Sequence, residues 1–176
     1  MALLGRFCLV VVLVGGWLGA SVSTGFSAKD VAVTTSGLPI PRYVSLKSDH
    51  VNVRAGPTKD NDVAWVYTRS GLPVEITAEF ENWRRVRDSE GAEGWVYHSL
   101  LSGRRTAVVT MKRKDDLASI YDHADSASAV AARLQAGVVA QVKHCAAGWC
   151  HVYGNGFDGW IEQQRLWGVY ADEKVD

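Results

Sequence analysis

One β unit is written twice in this chain. The first copy runs from Asn82 to Leu101 as NWRRVRDSEGAEGWVYHSLL, and the second runs from Gly148 to Leu166 as GWCHVYGNGFDGWIEQQRL. In each copy, short aromatic and β-branched stretches flank a connection rich in glycine and polar residues, which is the pattern of a β-hairpin. The repeat therefore predicts two copies of one small β fold. The aligned pairs are Trp83 with Trp149, Val86 with Val152, Gly94 with Gly159, Trp95 with Trp160 and Leu101 with Leu166.

The segment before the first hairpin has the pattern of a half-buried strand. From Leu72 to Phe80, apolar residues alternate with polar ones, which is the period of a strand with one face on a core. A two-residue turn then leads to Trp83, so we expect Phe80 to face Trp83 and Glu79 to face Arg84. Turn residues recur at close spacing through the chain, which is typical of short strands in a barrel or sandwich. The sequence therefore predicts an all-β fold.

The stretch from Ser126 to Leu134, SASAVAARL, has a composition that is typical of a helix. The aligned segment of the first copy is the strand around Trp65. Because tertiary context overrides local propensity, we predict a strand here as well.

The first copy also carries a family likeness. The run from Tyr43 to Leu101 contains VNVRAGP and then GLPVEITAEFENWRRVRDSEGAEGWVYHSLL, and it resembles the bacterial SH3-like (SH3b) family, in particular the subgroup in exported proteins of Gram-negative bacteria. A weaker likeness runs from Val109 to Leu166. The resemblance implies two tandem small SH3-like β-barrels, the second degenerate. It also implies a binding module, commonly for cell-wall material or peptides, and no catalysis.

Residues 1–28 have the composition of a secretory signal peptide. A basic Arg6 precedes the apolar run from Phe7 to Ala20, and small residues follow. We expect this segment to be cleaved. The mature protein would then be periplasmic or secreted, with no stable membrane insertion after cleavage.

The rest of the chain divides where its composition changes. We expect an extended spacer over residues 29–41, a first SH3-like domain over 42–106, a second over 107–168 and a tail over 169–176. A strand near Ala107 to Met111 is expected to be shared by the two copies. The tail should become charged and disordered toward its end.

The charge balance bears on the class of partner. Lys and Arg number 19 and Asp and Glu number 19, so the formal net charge is 0. Binding to nucleic acid through its phosphates needs clustered positive charge in clear excess. We therefore expect no nucleic-acid partner.

Two cysteines lie in the second copy at positions that matter for its hairpin. Cys145 and Cys150 align with Glu79 and Arg84, the pair expected to face each other in the first copy. Opposed residues of an antiparallel pair are close enough for a disulfide, and an oxidising compartment favours one. We predict that a disulfide in the second copy replaces an ion pair of the first.

The neighbouring histidines His144 and His151 suggest a Cys₂His₂ metal site as an alternative. Adjacent residues of a strand point to opposite faces, so each histidine is badly placed to share a metal with the cysteine beside it. We therefore expect no metal.

The sequence offers little for catalysis. It contains no glycine-rich phosphate loop, no nucleophile elbow and no zinc-protease helix. His98 and Ser99 are adjacent but lack a recognisable third partner. We therefore expect no enzyme activity and no cofactor.

Aromatic residues of the first copy that have no aromatic counterpart in the second are the candidates for ligand contact. We assign the recurring Trp83 and Trp95 to packing, because large aromatic residues dominate cores. The others, with nearby arginines, could line a groove that stacks on a sugar or a proline-rich peptide. These candidates are Trp65, Tyr67, Tyr97, Arg69, Arg84, Arg85 and Arg87.

Taken together, the patterns and the resemblance predict an exported, non-enzymatic binding module. We expect it to recognise cell-wall peptidoglycan, or a periplasmic protein or peptide, through the groove of the first copy. The alternative is a periplasmic structural or interaction protein without wall binding, in which the two barrels pack on each other or self-associate and bury these aromatics in that contact.

Overall fold

The computed structural model describes residues 32–33, 36–111, 113 and 116–176. The predicted signal peptide, residues 1–28, lies outside the described residues. Two short 3₁₀ turns, His98–Leu100 and Gln163–Arg165, are the helical elements of the described part. The first nine strands are β1 (Ala32–Val33), β2 (Pro39–Ile40), β3 (Arg42–Leu46), β4 (Val51–Arg54), β5 (Val63–Tyr67), β6 (Pro73–Phe80), β7 (Trp83–Arg87), β8 (Glu93–Tyr97) and β9 (Leu101–Ser102). The next seven are β10 (Thr106–Val109), β11 (Leu117–Tyr121), β12 (Val130–Gln135), β13 (Val139–Ala146), β14 (Trp149–Gly154), β15 (Phe157–Glu162) and β16 (Leu166–Trp167).

Two seven-stranded antiparallel sheets contain most of these strands. The first has the order β5-β4-β8-β7-β6-β3-β9, and the second has the order β12-β11-β15-β14-β13-β10-β16. The two orders correspond strand by strand, with β10 in the place of β3 and β16 in the place of β9. The prediction of an all-β fold with two tandem SH3-like barrels is confirmed.

Each sheet bends around its own apolar core. The first core includes Val51, Val53 and Val96, all fully buried, and the second includes Ile120 and Val152 at the same depth. These residues occupy alternate positions along their strands, so one face of each strand lies inside. The alternation read from the sequence is therefore what positions the opposite face for contact with a ligand or a neighbour.

The predicted hairpin register is confirmed in both copies. Phe80 pairs with Trp83 and Glu79 pairs with Arg84 between β6 and β7. Between β13 and β14, Cys145 pairs with Cys150 and forms the predicted disulfide, with 4.1 Å between the two Cα atoms. An ion pair of one copy is thus replaced by a covalent bond in the other.

The strand predicted against local propensity is confirmed. Residues 130–135 form β12, which pairs with β11 and places Leu134 opposite the buried Ala118. Leu134 is itself buried in the second core. Burial of this side chain therefore outweighs the helical preference of the alanine-rich stretch.

The joining strand and the tail differ from their predictions. The joining strand is not shared: among the described residues, β10 pairs only with β13 and β16 of the second sheet, and β9 completes the first. The prediction that the end of the tail is disordered is wrong. Val175 is buried, and its backbone exchanges hydrogen bonds of 2.9 and 3.2 Å with Cys145. Apolar side chains within the charged tail hold it on the second core.

In the described part of the predicted spacer, β1 and the proline-containing β2 are extended and pair with each other in antiparallel fashion. Ser36 donates hydrogen bonds from its backbone N–H and its hydroxyl to the Glu79 carboxylate, at 3.1 and 2.8 Å. Within the described residues, no helix is long and apolar enough to cross a membrane.

Gly94 marks a close crossing of two strands. β8 passes β4 where Trp95 pairs with Arg54, and a Cβ atom on Gly94 would lie 2.4 Å from Cγ1 of Val53. We expect Gly94→Ala to lower the free energy of unfolding by about 1–3 kcal/mol, because the core around it has no room for a methyl group. Urea denaturation measures the change.

The matched control for this substitution is Gly103→Ala, since a Cβ atom at Gly103 meets nothing within 4 Å. Equal stability of the two variants would show that the strand crossing is not tightly packed.

The disulfide generates a second prediction. Cys145 and Cys150 are fully buried, and the bond closes a short loop. Opening it should cost about 2 kcal/mol, because short loops lie at the lower end of the entropic stabilisation. The measurement is urea denaturation with and without reductant, and a Cys145→Ala, Cys150→Ala double variant should show no dependence on reductant. A response of that variant equal to the wild type would mean that the reductant acts elsewhere.

Candidate ligand-binding surfaces of the first barrel

The candidate residues occupy separate places on the first barrel. Trp65 and Tyr67 lie on β5 with their side chains against the core. Tyr97 lies on β8, on the face of the sheet that points away from the core. Arg69 follows β5, and the remaining candidates are on β7. No ring contact among the described residues joins Tyr97 to Trp65 or Tyr67.

Trp65 and Tyr67 cover one side of the first core. Their directly opposed partners on β4 are the buried Val53 and Val51, so their rings lie on the core side of the sheet. The two rings are edge to face, with centroids 6.1 Å apart. Both residues remain half-buried, with part of each ring at the surface.

Asp88 restrains Tyr67. The phenol donates to Oδ2 of Asp88 at 2.9 Å, and the other carboxylate oxygen accepts backbone N–H groups of Glu90 and Ala92. Burial, followed by the hydrogen bond and the charge of Asp88, raises the pKa of Tyr67 well above its ordinary value. The tyrosine therefore stays protonated and ties β5 to the turn of the hairpin.

The outer face of the hairpin presents a second aromatic group. Gly94 and Val96 point inward, so Trp95 and Tyr97 point outward and are half-buried. Tyr97 packs edge to face on Trp83, with centroids 5.4 Å apart, and Trp83 is buried beneath it. The assignment of Trp83 to packing agrees with its burial, whereas Trp95 contributes to the surface.

Two arginines flank Trp95 across the sheet. Arg85 on β7 and Arg54 on β4 are its direct cross-strand partners. Arg85 also pairs with Glu93 at 2.6 Å, and 49% of its side chain is exposed. Arg54, Arg85, Trp95 and Tyr97 together form what we call the outer patch. The sequence did not predict the place of Arg54, because its partner Trp95 is about 40 residues away along the chain.

The side chain of Arg84 is largely buried in the first barrel, where it pairs with Glu79. Its Nε lies 3.1 Å from Oε1 of Glu79, and the same oxygen lies 2.6 Å from Arg42. The Glu79 side chain is only 1% exposed and that of Arg84 11%. A buried carboxylate is stable only when paired, so this ion pair has a structural role like that of the disulfide in the second copy.

Arg87 belongs to the junction between the barrels. Its guanidinium binds Glu75, with Nε donating to Oε2 at 3.0 Å. Glu75 is 3% exposed, and its other oxygen accepts the hydroxyl of Tyr170 from the tail at 2.9 Å. Tyr43 packs on Tyr170 and on Trp167. This cluster holds the tail of the second barrel on β3 and β6 of the first.

A further ion pair at the same junction joins Arg105, just before β10, to Glu173 of the tail. Arg105 donates to both carboxylate oxygens of Glu173, at 2.7 and 3.0 Å, and to the carbonyl of Gly168. Burial raises the pKa of Glu173, but hydrogen bonds from Arg105 and from the N–H of Tyr170 outweigh it. The pKa of Glu173 therefore lies below its ordinary value of 4.5.

Arg69 also reaches toward the second barrel. Its Nη1 donates to the carbonyl of Gly137 at 2.9 Å. It therefore lies at an opening between the barrels, away from the outer patch.

The second barrel presents a different surface at the equivalent positions. Trp160 replaces Trp95, His151 replaces Arg85 and Glu162 replaces Tyr97. His151 stacks on Trp160 with centroids 5.0 Å apart and binds Asp158. The outer patch in its aromatic and cationic form is therefore specific to the first copy.

The residues weighed for catalysis have other contacts. The ring of His98 lies beside Tyr97, and the carbonyl of Ser99 accepts a hydrogen bond from Lys47. In the described part of the chain, no group of three or more His, Cys, Asp or Glu residues is placed to hold a metal ion.

Comparison with known proteins gives a family match. The family model of the bacterial SH3 domain matches residues 47–103 and 114–168, which together are more than half of the chain. Among solved structures, the chain is similar to NlpC2 from Trichomonas vaginalis, with 17% identity, a TM-score of 0.34 and coverage of 77% of this chain and 50% of that one. NlpC1 from the same organism gives 15% identity, a TM-score of 0.32 and coverage of 77% and 48%. The chain thus spans about half the length of these two proteins. No curated protein matches the chain.

The junction generates a prediction about pH. Because its pKa is lowered on folding, Glu173 stabilises the protein above about pH 4.5, and this contribution is lost as the pH falls through the folded pKa. Glu173→Gln should therefore cost about 1 kcal/mol at pH 7 and progressively less below pH 4.5. Urea denaturation at pH 7, 5 and 3 measures the difference. The exposed Glu90→Gln serves as control, and a Glu173→Gln effect that is the same at all three pH values would contradict the assignment.

Proposed function

Because the chain belongs to the bacterial SH3 domain family, whose members are generally binding modules and commonly bind peptidoglycan, we propose that it is a non-enzymatic module for cell-wall peptidoglycan or a peptide. Each SH3-like domain, 42–106 and 107–168, is one barrel in this proposal, and the first carries the contact with the ligand.

The observation that carries the proposal is that the barrels pack on each other without the candidate aromatics. The junction uses Tyr43, Trp167 and Tyr170. Tyr97 and Trp95 remain half-buried on the outer face of the first barrel. Aromatic residues that neither the core nor the junction consumes are available to stack on a sugar ring or a proline.

The division of labour among the other candidates follows from their contacts. Arg85 and Arg54 flank the rings of the outer patch and supply positive charge for the carboxylates of a wall peptide. Trp65 and Tyr67 shape the adjoining side of the barrel. Arg84 and Arg87 are bound to buried carboxylates, so they hold the surface in place rather than touch the ligand.

The proposed location is the periplasm or the exterior of the cell. Bacterial SH3 domains are typically extracellular or periplasmic. The disulfide between Cys145 and Cys150 is of the kind that persists in an oxidising compartment. Peptidoglycan is met in the same compartments.

Co-sedimentation of the oxidised protein with purified peptidoglycan tests the proposal. We expect the wild type to pellet. For a Tyr97→Ala, Arg85→Ala variant, the ratio of unbound to bound protein should be at least about tenfold higher than for the wild type, because stacking and a charge-assisted hydrogen bond are both lost. Near-UV circular dichroism checks that the variant is folded.

The matched control is Tyr121→Ala in the second barrel. Tyr121 packs edge to face on Trp149 at 5.7 Å, much as Tyr97 packs on Trp83. This control should pellet like the wild type. If the wild type fails to pellet and its mass in sedimentation equilibrium rises with concentration, the result contradicts wall binding and supports a self-associating structural protein.

A further inference from the structure

A cleft of about 450 Å³ opens between the two barrels. The first barrel contributes Lys47 and Arg69 to its lining, and the segment between β9 and β10 contributes Arg104. The second barrel contributes Gln141, Tyr153 and Asn155. This volume lies within the range of small-ligand sites. None of the predicted ligand-binding residues except Arg69 lines it, so the cleft is separate from the outer patch.

The lining of the cleft carries positive charge without compensation. It contains three cationic side chains and no Asp or Glu. Lys47 donates to the carbonyl of Ser99 at 3.0 Å and Arg69 to that of Gly137, so each spends one donor on a neutral oxygen. Among the described residues, neither these two nor Arg104 forms an ion pair. Convergent cations in a concave surface attract an anion.

A buried hydroxyl in the lining has no partner. Thr106 lines the cleft and is 4% exposed, and its Oγ1 has no hydrogen-bond partner in the described structure. Such a group costs free energy until a ligand or an ordered water meets it. Thr106 therefore adds an unmet polar group to the residues that line the cleft.

The uncharged groups of the cleft also favour a ligand rich in acceptors. The Tyr153 hydroxyl donates to Oε1 of Gln141 at 2.9 Å, which leaves the Gln141 amide NH₂ as its remaining polar group, a donor. The lining also contains the aliphatic Leu46 and Val139. Donors around a partly apolar wall fit a carboxylate attached to small side chains better than a fully hydrated phosphate.

We propose that this cleft binds the carboxylate end of a short anionic peptide. The choice of a peptide rests on the proposed function, since wall peptides end in free carboxylates. Arg104 and Arg69 hold the carboxylate by charge-assisted hydrogen bonds, and Lys47 adds a third positive charge. Residues from both barrels line the cleft, so the site exists only in the tandem arrangement.

The test is a titration of the oxidised protein with the N-acetylated synthetic tetrapeptide Ala-Glu-Ala-Ala, as the free acid and as the C-terminal amide. We expect the amide to bind at least about tenfold more weakly, because one charge-assisted interaction is lost. Arg104→Glu should weaken binding of the free acid by a similar or larger factor. Arg104→Gln, which only neutralises the charge, guards against an effect on folding.

The control is Arg113→Glu, which makes the same change of charge on a side chain that is 79% exposed and outside the cleft. Equal binding of the free acid by wild type and both Arg104 variants overturns the proposal. Competition by inorganic phosphate as effective as that of the free acid overturns the peptide in favour of a phosphate-bearing ligand.

Peptidoglycan co-sedimentation of the same variants separates this inference from the proposed function. Peptide binding that depends on Arg104, without pelleting of the wild type, supports the cleft and removes wall binding. Pelleting that depends on Tyr97 and not on Arg104, with no peptide binding, supports wall recognition and removes the cleft.

Discussion

The buried carboxylate of Glu75 is the constraint on which the arrangement of the molecule depends. A carboxylate that is 3% exposed must be paired, and its partners come from both barrels: Arg87 from the first and Tyr170 from the tail of the second. Separation of the barrels would remove the hydrogen bond from Tyr170 and leave Glu75 with Arg87 as its partner beside Tyr43. Burial, and then the charge of Glu75, raises the pKa of Tyr43 to about 12. Residues of both barrels line the cleft, which neither barrel could form alone.

The two copies show which parts of the β unit are needed for folding and which are free to change. Gly94 and Gly159 both lie where one strand passes close to another, and a Cβ atom would lie 2.4 Å from Val53 in the first copy and 2.6 Å from the carbonyl of Tyr121 in the second. Both copies also keep a tryptophan on the outer face. The residues around that tryptophan differ, since arginines surround it in the first copy and His151 in the second. Divergence on a shared frame is the pattern expected when only one copy keeps a contact with a ligand.

Much of this fold could be predicted from the sequence because the repeat supplies information that propensity lacks. The two-residue turn gives the register at Glu79 and Arg84, and aligning one copy on the other carries it to Cys145 and Cys150 and predicts the strand over 130–135. The role of Glu75 could not be predicted, because it occupies the polar face of an alternating strand and its partner Tyr170 lies 95 residues away along the chain. The ordered tail was missed for the same reason. Of the candidate site, Tyr97 and Arg85 lie together at the surface, whereas Arg84 and Arg87 are bound to carboxylates, and of these two pairs the sequence predicted only that of Arg84 with Glu79.

The exchange of an ion pair for a disulfide makes the two barrels sensitive to different conditions. The ion pair between Glu79 and Arg84 forms as soon as the first barrel folds, whatever the redox state of the compartment. The bond between Cys145 and Cys150 needs an electron acceptor, which a reducing compartment does not provide. A chain in a reducing compartment would therefore keep the ion pair of the first hairpin and lack the disulfide of the second. The disulfide of the second hairpin, beside which Val175 pairs with Cys145, therefore depends on the compartment in which the chain folds.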